Sequence, residues 1–231
     1  MSRLCTICAR AGSKGVKNKN IRLLNGKPLI SYTIQQALET KLFDFIAVSS
    51  DSDEILNIAK AEGLKHLIKR PAKLASDHAA KLPVIQHCAS QVEILTNSRF
   101  DTYVDLDATS PLREPQDIIN AVNLLESTSA SNVITAAPSR RSPYFNLVEL
   151  DENGIARLSK STNNAVTRRQ DSPECFDMNA SIYVWNRESL MNNLSIFNDN
   201  TRLYVMPEDR SQDIDSELDF LIVDTIMKSK S

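Results

Sequence analysis

An α/β fold is predicted, with a mainly parallel sheet covered by helices on both faces. Two observations carry it. Short apolar, β-rich runs alternate with stretches of helical spacing over residues 1–137. Proline, serine and glycine signals fall between these runs, where helices start and stop. The composition agrees. A chain of 231 residues with a hydrophobic fraction of 42% can bury one sizeable core, and 24% charged residues is ordinary for a soluble protein. A net charge of −2 argues against a nucleic-acid partner, which favours a clearly basic face. No apolar run reaches the roughly 18 residues that a membrane-spanning helix needs.

The elements follow in order. Leu4–Ala9 reads as a buried strand; it is too short and too closely flanked by Arg3 and Arg10 for a signal peptide. Leu29–Thr40 reads as a helix opened by Pro28. Phe43–Ser49 is a second strand. Asp51 or Ser52 caps a helix over Asp53–Glu62, which Gly63 stops. Lys65–Lys69 reads as a short strand, Leu82–Thr96 as a helix and Asp101–Leu106 as a strand. A loop, the helix Pro115–Ser127 and the strand Ser131–Ala137 come next. Then the pattern changes. Residues 138–175 are polar, broken by Pro143, Gly154 and Pro173, and carry Arg140-Arg141 and Arg168-Arg169. They read as a hairpin-like excursion. The chain returns with strands Ala180–Trp185 and Leu203–Met206 and a last helix from about Ser216. The division is a core of residues 1–137 and 176–231 with an excursion at 138–175. The four cysteines read as reduced thiols of a cytoplasmic protein. Cys5 and Cys8 spell C-x-x-C, but on a strand they point to opposite faces. The histidines His66, His78 and His87 are isolated, which speaks against zinc.

In such sheets ligands bind beyond the carboxyl ends of the strands. Two chemically rich loops lie there. The first, Ala9 to Asn20, holds Gly12, Gly15, Arg10, Ser13 and three lysines. Glycines let backbone amides approach an anion, Arg10 can clamp a phosphate with two parallel hydrogen bonds, and Lys14 can follow charge on a leaving group. Neither the Walker A pattern nor the dinucleotide fingerprint is present. A solvated basic turn is the alternative, and the position after the first strand favours the anion cradle. In the second loop, Asp105-Leu-Asp-Ala-Thr-Ser-Pro-Leu-Arg113, Asp105 and Asp107 share a face of an extended strand, in a structural or a ligand-binding role. Near the C-terminus Asp213 and Asp215 also lie two residues apart. Paired carboxylates repel unless a cation sits between them, which suits Mg²⁺ or Mn²⁺. The other reading is an acidic helix start.

Taken in order, these segments resemble the acylneuraminate cytidylyltransferases, which make CMP-sialic acid. Ala9-Arg-Ala-Gly-Ser-Lys-Gly15 with Lys19-Asn20 is similar to the family's A-R-x-x-S-K-G…K-N, and Val48-Ser-Ser-Asp51 to its V-S-T-D. Arg70-Pro-Ala-Lys-Leu-Ala-Ser-Asp77 is similar to R-P-x-x-L-A-x-D, and Asp107-Ala-Thr-Ser-Pro-Leu-Arg113 to Q-x-T-S-P-L-R. Arg168-Arg-Gln170 with Asn179-Ala-Ser-Ile-Tyr183 is similar to P-R-Q…N-G-A-I-Y, and Ser211-Gln-Asp-Ile-Asp215 with Asp219 to S-x-D-I-D-x-x-x-D. The resemblance spans nearly the whole chain.

It implies a Rossmann-like α/β enzyme that joins CMP from CTP to an acidic nine-carbon sugar. It further implies Mg²⁺ or Mn²⁺ and a homodimer in which the 138–175 excursion completes the neighbouring sugar site. By the resemblance, the nucleotide lies against Arg10, Ala11, Gly12, Ser13, Lys14, Asn20, Arg70, Ala79 and Lys81. The sugar meets Asp107, Thr109, Ser110, Phe145, Arg169, Asn179 and Tyr183. Asp213 and Asp215 hold the metal, and Arg10, Lys14 and Arg169 act in catalysis. Two positions depart from the pattern: the family often has a small hydroxyl at Lys81 and has glutamine at Asp107. A carboxylate at Asp107 can contact the sugar's amino or hydroxyl groups or share the metal. At Phe145, beside Tyr144, the family often carries a lysine. An apolar pocket suits a deoxygenated sugar, because burying an unpaired hydroxyl is costly. With Asp107 and Asp177–Tyr183, the chain looks most like the enzymes that activate legionaminic acid, ahead of those for sialic and pseudaminic acid. Two other readings compete: a sugar nucleotidyltransferase using UTP or GTP, and a non-catalytic nucleotide-binding regulator. The phosphate loop and the acidic pair occurring together speak against the second.

Overall fold

The computed structural model describes residues 1–161 and 168–230, except for the side chains of Arg169 and Lys230. The elements are β1 (Arg3–Cys8), β2 (Leu23–Leu24), β3 (Lys27–Pro28), α1 (Leu29–Thr40), β4 (Phe45–Ser50), α2 (Asp53–Ala61), β5 (His66–Lys69), α3 (Lys81–Thr96), β6 (Thr102–Leu106), α4 (Pro115–Glu126), β7 (Asn132–Pro138), β8 (Val148–Leu150), β9 (Ala156–Leu158), β10 (Phe176–Asn186), α5 (Arg187–Asn192), β11 (Thr201–Val205) and α6 (Glu217–Lys230). Seven strands form one sheet in the order β11-β7-β10-β6-β1-β4-β5. All neighbours pair in parallel except β10, which is antiparallel to both β6 and β7. The expected mainly parallel α/β fold is therefore present. No helix among the described residues is long and apolar enough to cross a membrane.

Central position explains the sequence of β1. Apolar clusters cover both of its faces, Cys5 and Ile7 on one and Leu4 and Cys8 on the other. A strand buried on both faces reads as a continuous apolar run. Cys5 and Cys8 thus join opposite clusters and form no redox pair; all four cysteines carry free thiols.

Local chemistry sets the ends. Ser52, and not Asp51, caps α2: its hydroxyl accepts from the Ile55 amide at 3.4 Å. Asp51 accepts instead from the Ala11 amide at 3.0 Å, steadying the first loop. A reciprocal capping box of Glu114 and Asp117 opens α4, with Pro115 at its first position.

Three features were not anticipated. β2 and β3 form a hairpin over Asn25 and Gly26, whose φ values of 47° and 76° are those an Asn-Gly turn allows. Their two-residue strands are too short to show a period. The helix α5 has only six residues and is capped by the Asn186 side chain, which accepts from the Ser189 amide at 2.8 Å. Strand β10 begins at Phe176, before the expected Ala180, because a register shift lies between Met178 and Tyr183, with Ala180 at φ 53°. Within the excursion, β8 and β9 pair as the expected hairpin.

Candidate active site

Four segments meet beyond the carboxyl ends of β1, β4 and β6. The loop after β1 is folded on itself: the Asn20 amide donates to the Arg10 carbonyl at 2.9 Å. It is clasped to the other end of the chain. The Lys19 ammonium donates to the Ile214 carbonyl and lies 2.9 Å from the Asp215 carboxylate. A Cβ on Gly15 would stand 1.9 Å from the Asp215 carbonyl oxygen, so only glycine permits this approach. Asp117 in turn anchors the chain before the acidic segment, accepting from Arg210 at 3.0 and 2.9 Å.

The result is a cavity of about 370 Å³ bordered by both cations and carboxylates. Arg10, Ser13, Lys14, Lys19 and Asn20 line it together with Asp107, Thr109, Asp213 and Asp215. A second cavity of about 220 Å³ adjoins, bordered by Arg70, Asp77, Ala79 and Lys81. Cys8, Arg10 and Asp107 belong to both. The nucleotide residues read from the sequence thus gather in two joined spaces. Ala11 lies at the edge, in a small crevice with Asn20 and Ser52, and Gly12 is exposed with nothing within 4 Å of a would-be Cβ. Arg70 is buried and donates to the Ser49 carbonyl at 2.8 Å, so it is no surface charge. The Asn20 Oδ1 is buried without a partner, an acceptor that a bound donor would complete.

Lys81 and Asp107, the two departures from the family pattern, are one ion pair, 2.6 Å apart. The same ammonium lies 3.5 Å from Asp105 and 4.6 Å over the Tyr183 ring. Asp107 also accepts from the Thr109 amide at 3.1 Å and hydroxyl at 2.8 Å. Burial opposes its ionisation, but the Lys81 charge and these hydrogen bonds prevail and bring its pKa down to about 2. Lys81→Met is expected to destabilise the fold by roughly 2–4 kcal/mol at pH 7.5, because the buried Asp105 and the partly buried Asp107 lose their cation. Burial already holds the Asp105 carboxyl above its unfolded value, and losing the Lys81 charge moves both carboxyls upward. The variant's deficit should therefore shrink as pH falls to 4, which urea unfolding at both pH values would measure.

Asp213 contacts the Thr109 hydroxyl and accepts from the Ile214 amide at 2.9 Å. Burial first, then the charges of Asp107 and Asp215, push its carboxyl up to about 6. The helix-start role falls to Asp219, whose carboxylate accepts from the amides of Asp215 and Ser216 at 3.1 and 2.8 Å. Asp213 and Asp215 both border the larger cavity, Asp215 in contact with Lys19. No cluster of three metal-binding side chains occurs among the described residues. The pair fits a hard ion that takes its remaining ligands from phosphates and water, as Mg²⁺ does.

The sugar residues divide. Asp107 and Thr109 border the larger cavity. Ser110, Asn179 and Tyr183 are buried and do not line it. Asn179 accepts from the Thr135 hydroxyl at 2.7 Å and donates to the Ser211 hydroxyl at 3.1 Å, tying β10 to the acidic segment. Tyr183 stacks on Trp185 beneath Lys81. Phe145 borders neither cavity within one chain. It sits half-exposed in the excursion, whose three-residue strands are exposed and offer no second layer to pack on. The Arg169 side chain lies outside the described residues. Sequence reasoning missed Lys19 as a site residue, although the Lys19-Asn20 pair was the available signal. It also missed Asp77, which binds both Arg10 and Lys14, and a cavity of about 470 Å³ between Pro138–Ser142 and Gln170–Cys175.

Residues 4–220 match a family model described as cytidylyltransferase. A protein of Campylobacter coli named post-translational flagellin modification protein B is 50% identical over 99% of this chain and 96% of its own. The CMP-N,N′-diacetyllegionaminic acid synthase of Campylobacter jejuni is 49% identical, with the same two shares covered. Among solved structures, a CMP:2-keto-3-deoxy-manno-octonic acid synthetase complexed with CTP superposes with a TM-score of 0.73 over 100% of both chains; at 17% identity the likeness is one of fold.

Proposed function

The chain belongs to the cytidylyltransferase family, and from that premise we propose that it transfers CMP from CTP to an acidic nine-carbon sugar, N,N′-diacetyllegionaminic acid in the first place, and releases pyrophosphate. One observation carries the reading: the basic loop and the acidic segment line a single cavity and are clasped where Gly15 meets Asp215. A regulator that merely bound nucleotide would have no need of the acidic pair.

The sugar's anomeric hydroxyl attacks the α-phosphorus and pyrophosphate departs, so positioning and charge neutralisation dominate. Arg10, Lys14 and Lys19 offset the triphosphate charge and stay with the leaving group. The wall of Arg70, Ala79 and Lys81 receives the base, and Asn20 Oδ1 takes a donor from the nucleotide. Asp107 and Thr109, at the junction of the two cavities, face the sugar, and Asn179, Tyr183 and Ser110 hold that wall in place. Asp213 and Asp215 are the residues that would hold Mg²⁺ or Mn²⁺, which when bound offsets phosphate charge. Arg169 and Phe145 are assigned to the sugar site of a homodimer, whose partner excursion brings Phe145 to the cavity. Four free thiols support a reducing, cytoplasmic setting.

The test is pyrophosphate release with CTP and Mg²⁺, offering legionaminic, sialic, pseudaminic and octulosonic acids in parallel. Preference for the legionaminic compound supports the full reading. Preference for another acid keeps the reaction and removes the sugar assignment. Tight CTP binding with no release from any acid would favour the regulatory reading.

A further inference from the structure

The fork formed by Arg10 and Lys14 is filled by a carboxylate of the chain itself. Asp77 Oδ1 accepts from the Arg10 guanidinium at 2.6 Å, and Asp77 Oδ2 lies 2.7 Å from the Lys14 ammonium. Two oxygens of one anion, each on a different cation, is the arrangement a phosphate group adopts between an arginine and a lysine. The cations come from the loop after β1. Asp77 comes from the segment between β5 and α3, which borders the second cavity. Asp77 is 40% exposed, so its placement does not depend on packing into the core. Hydrogen bonds from Lys14 and then Arg10 hold its carboxyl below the usual carboxylate range.

We infer that Asp77 is an internal competitor for the phosphate site: a ligand must carry enough phosphate to take both Arg10 and Lys14 before the nucleotide can seat. This rests on the nucleotide reading above. A triphosphate and the Asp77 carboxylate cannot share the fork, because like charges in one site repel. A nucleoside without phosphate leaves the Asp77 contacts intact and gains nothing from the fork. The same competition acts in reverse after transfer. As pyrophosphate begins to leave, Asp77 retakes the two cations and disfavours its return. Asp77 therefore weakens every ligand that uses the fork, lingering pyrophosphate included, and leaves ligands without phosphate untouched.

Titration calorimetry with pyrophosphate, CTP and cytidine on the wild-type chain, Asp77→Asn and Asp77→Ala reads this directly. The expected result is that both variants bind pyrophosphate and CTP roughly three- to tenfold more tightly, while cytidine affinity stays the same. Pyrophosphate should also inhibit the variants at correspondingly lower concentration. Unchanged or weaker binding of pyrophosphate and CTP in both variants overturns the proposal and leaves the nucleotide reading standing. A loss of cytidine affinity alongside would instead make Asp77 a support for the base cavity, which also overturns it. A wild-type chain that binds neither CTP nor pyrophosphate sinks the nucleotide reading, and this proposal with it.

Discussion

Asp213→Asn is expected to slow CMP transfer by at least about a hundredfold and, in the same protein, to raise the melting temperature of the ligand-free chain at pH 7.5. The two effects share one cause. Burial, with Asp107 and Asp215 nearby, pushes the Asp213 carboxyl up to about 6, above its usual 3.8. The folded state therefore binds this proton more tightly than the unfolded chain does. The resulting stabilisation is complete below about pH 4 and is lost as pH rises through 6. At pH 7.5 the ionised side chain is a net cost on the order of 2 kcal/mol. An asparagine amide is neutral and keeps the Oδ1 acceptor that meets the Thr109 hydroxyl. For a chain of this size the gain corresponds to a rise of about 4–8 °C. Mg²⁺ should raise the wild-type melting temperature at pH 7.5 but hardly at pH 5, where the carboxyl is protonated, and should leave the variant unmoved at both. Scanning calorimetry and pyrophosphate release measure the pair of effects. A variant that retains activity, or that responds to Mg²⁺ as the wild type does, removes Asp213 from the metal site.

Gly15→Ala is expected to cost about two orders of magnitude in kcat/KM for CTP while the fold remains intact. The new methyl would lie 1.9 Å from the Asp215 carbonyl oxygen and 3.1 Å from its carbon. Both are backbone atoms, so no side chain can swing aside. Either the phosphate loop or the acidic segment has to move by about 1 Å, and a misplacement of that size can cost a hundredfold in rate. Gly15 is not among the residues of positive φ, so the effect is collision and not backbone strain. Gly12→Ala is the matched control, because its methyl would enter open space. Melting temperatures within a few degrees for both variants, with CTP turnover lost in Gly15→Ala, are the expected combination. Turnover within a few-fold of wild type in Gly15→Ala would show that the clasp between loop and acidic segment does not set the site.

Local chemistry made much of this legible. Helix α1 is bounded as read because its period and Pro28 are both local, and β1 reads as a strand because its buried residues are apolar save Thr6. The rest was hidden where length or pairing decided. Strands β2 and β3 have two residues each, and the early start of β10 depends on its bulged pairing with β7. Lys81 and Asp107 looked like two separate departures from the family pattern and are one, a cation and a carboxylate standing together where the family carries a small hydroxyl and glutamine.

The sequence by itself determined the α/β fold, the two charged loops beyond the strand ends and the acidic pair, because each is written in residues close along the chain. Only the tertiary structure decided which charges meet. Lys81 finds Asp107 across 26 residues, Arg10 finds Asp77 across 67, and Lys19 finds Asp215 across 196. Such partners are set by the order of strands in the sheet, which brings distant loop ends to one edge, and no local period or propensity encodes that order.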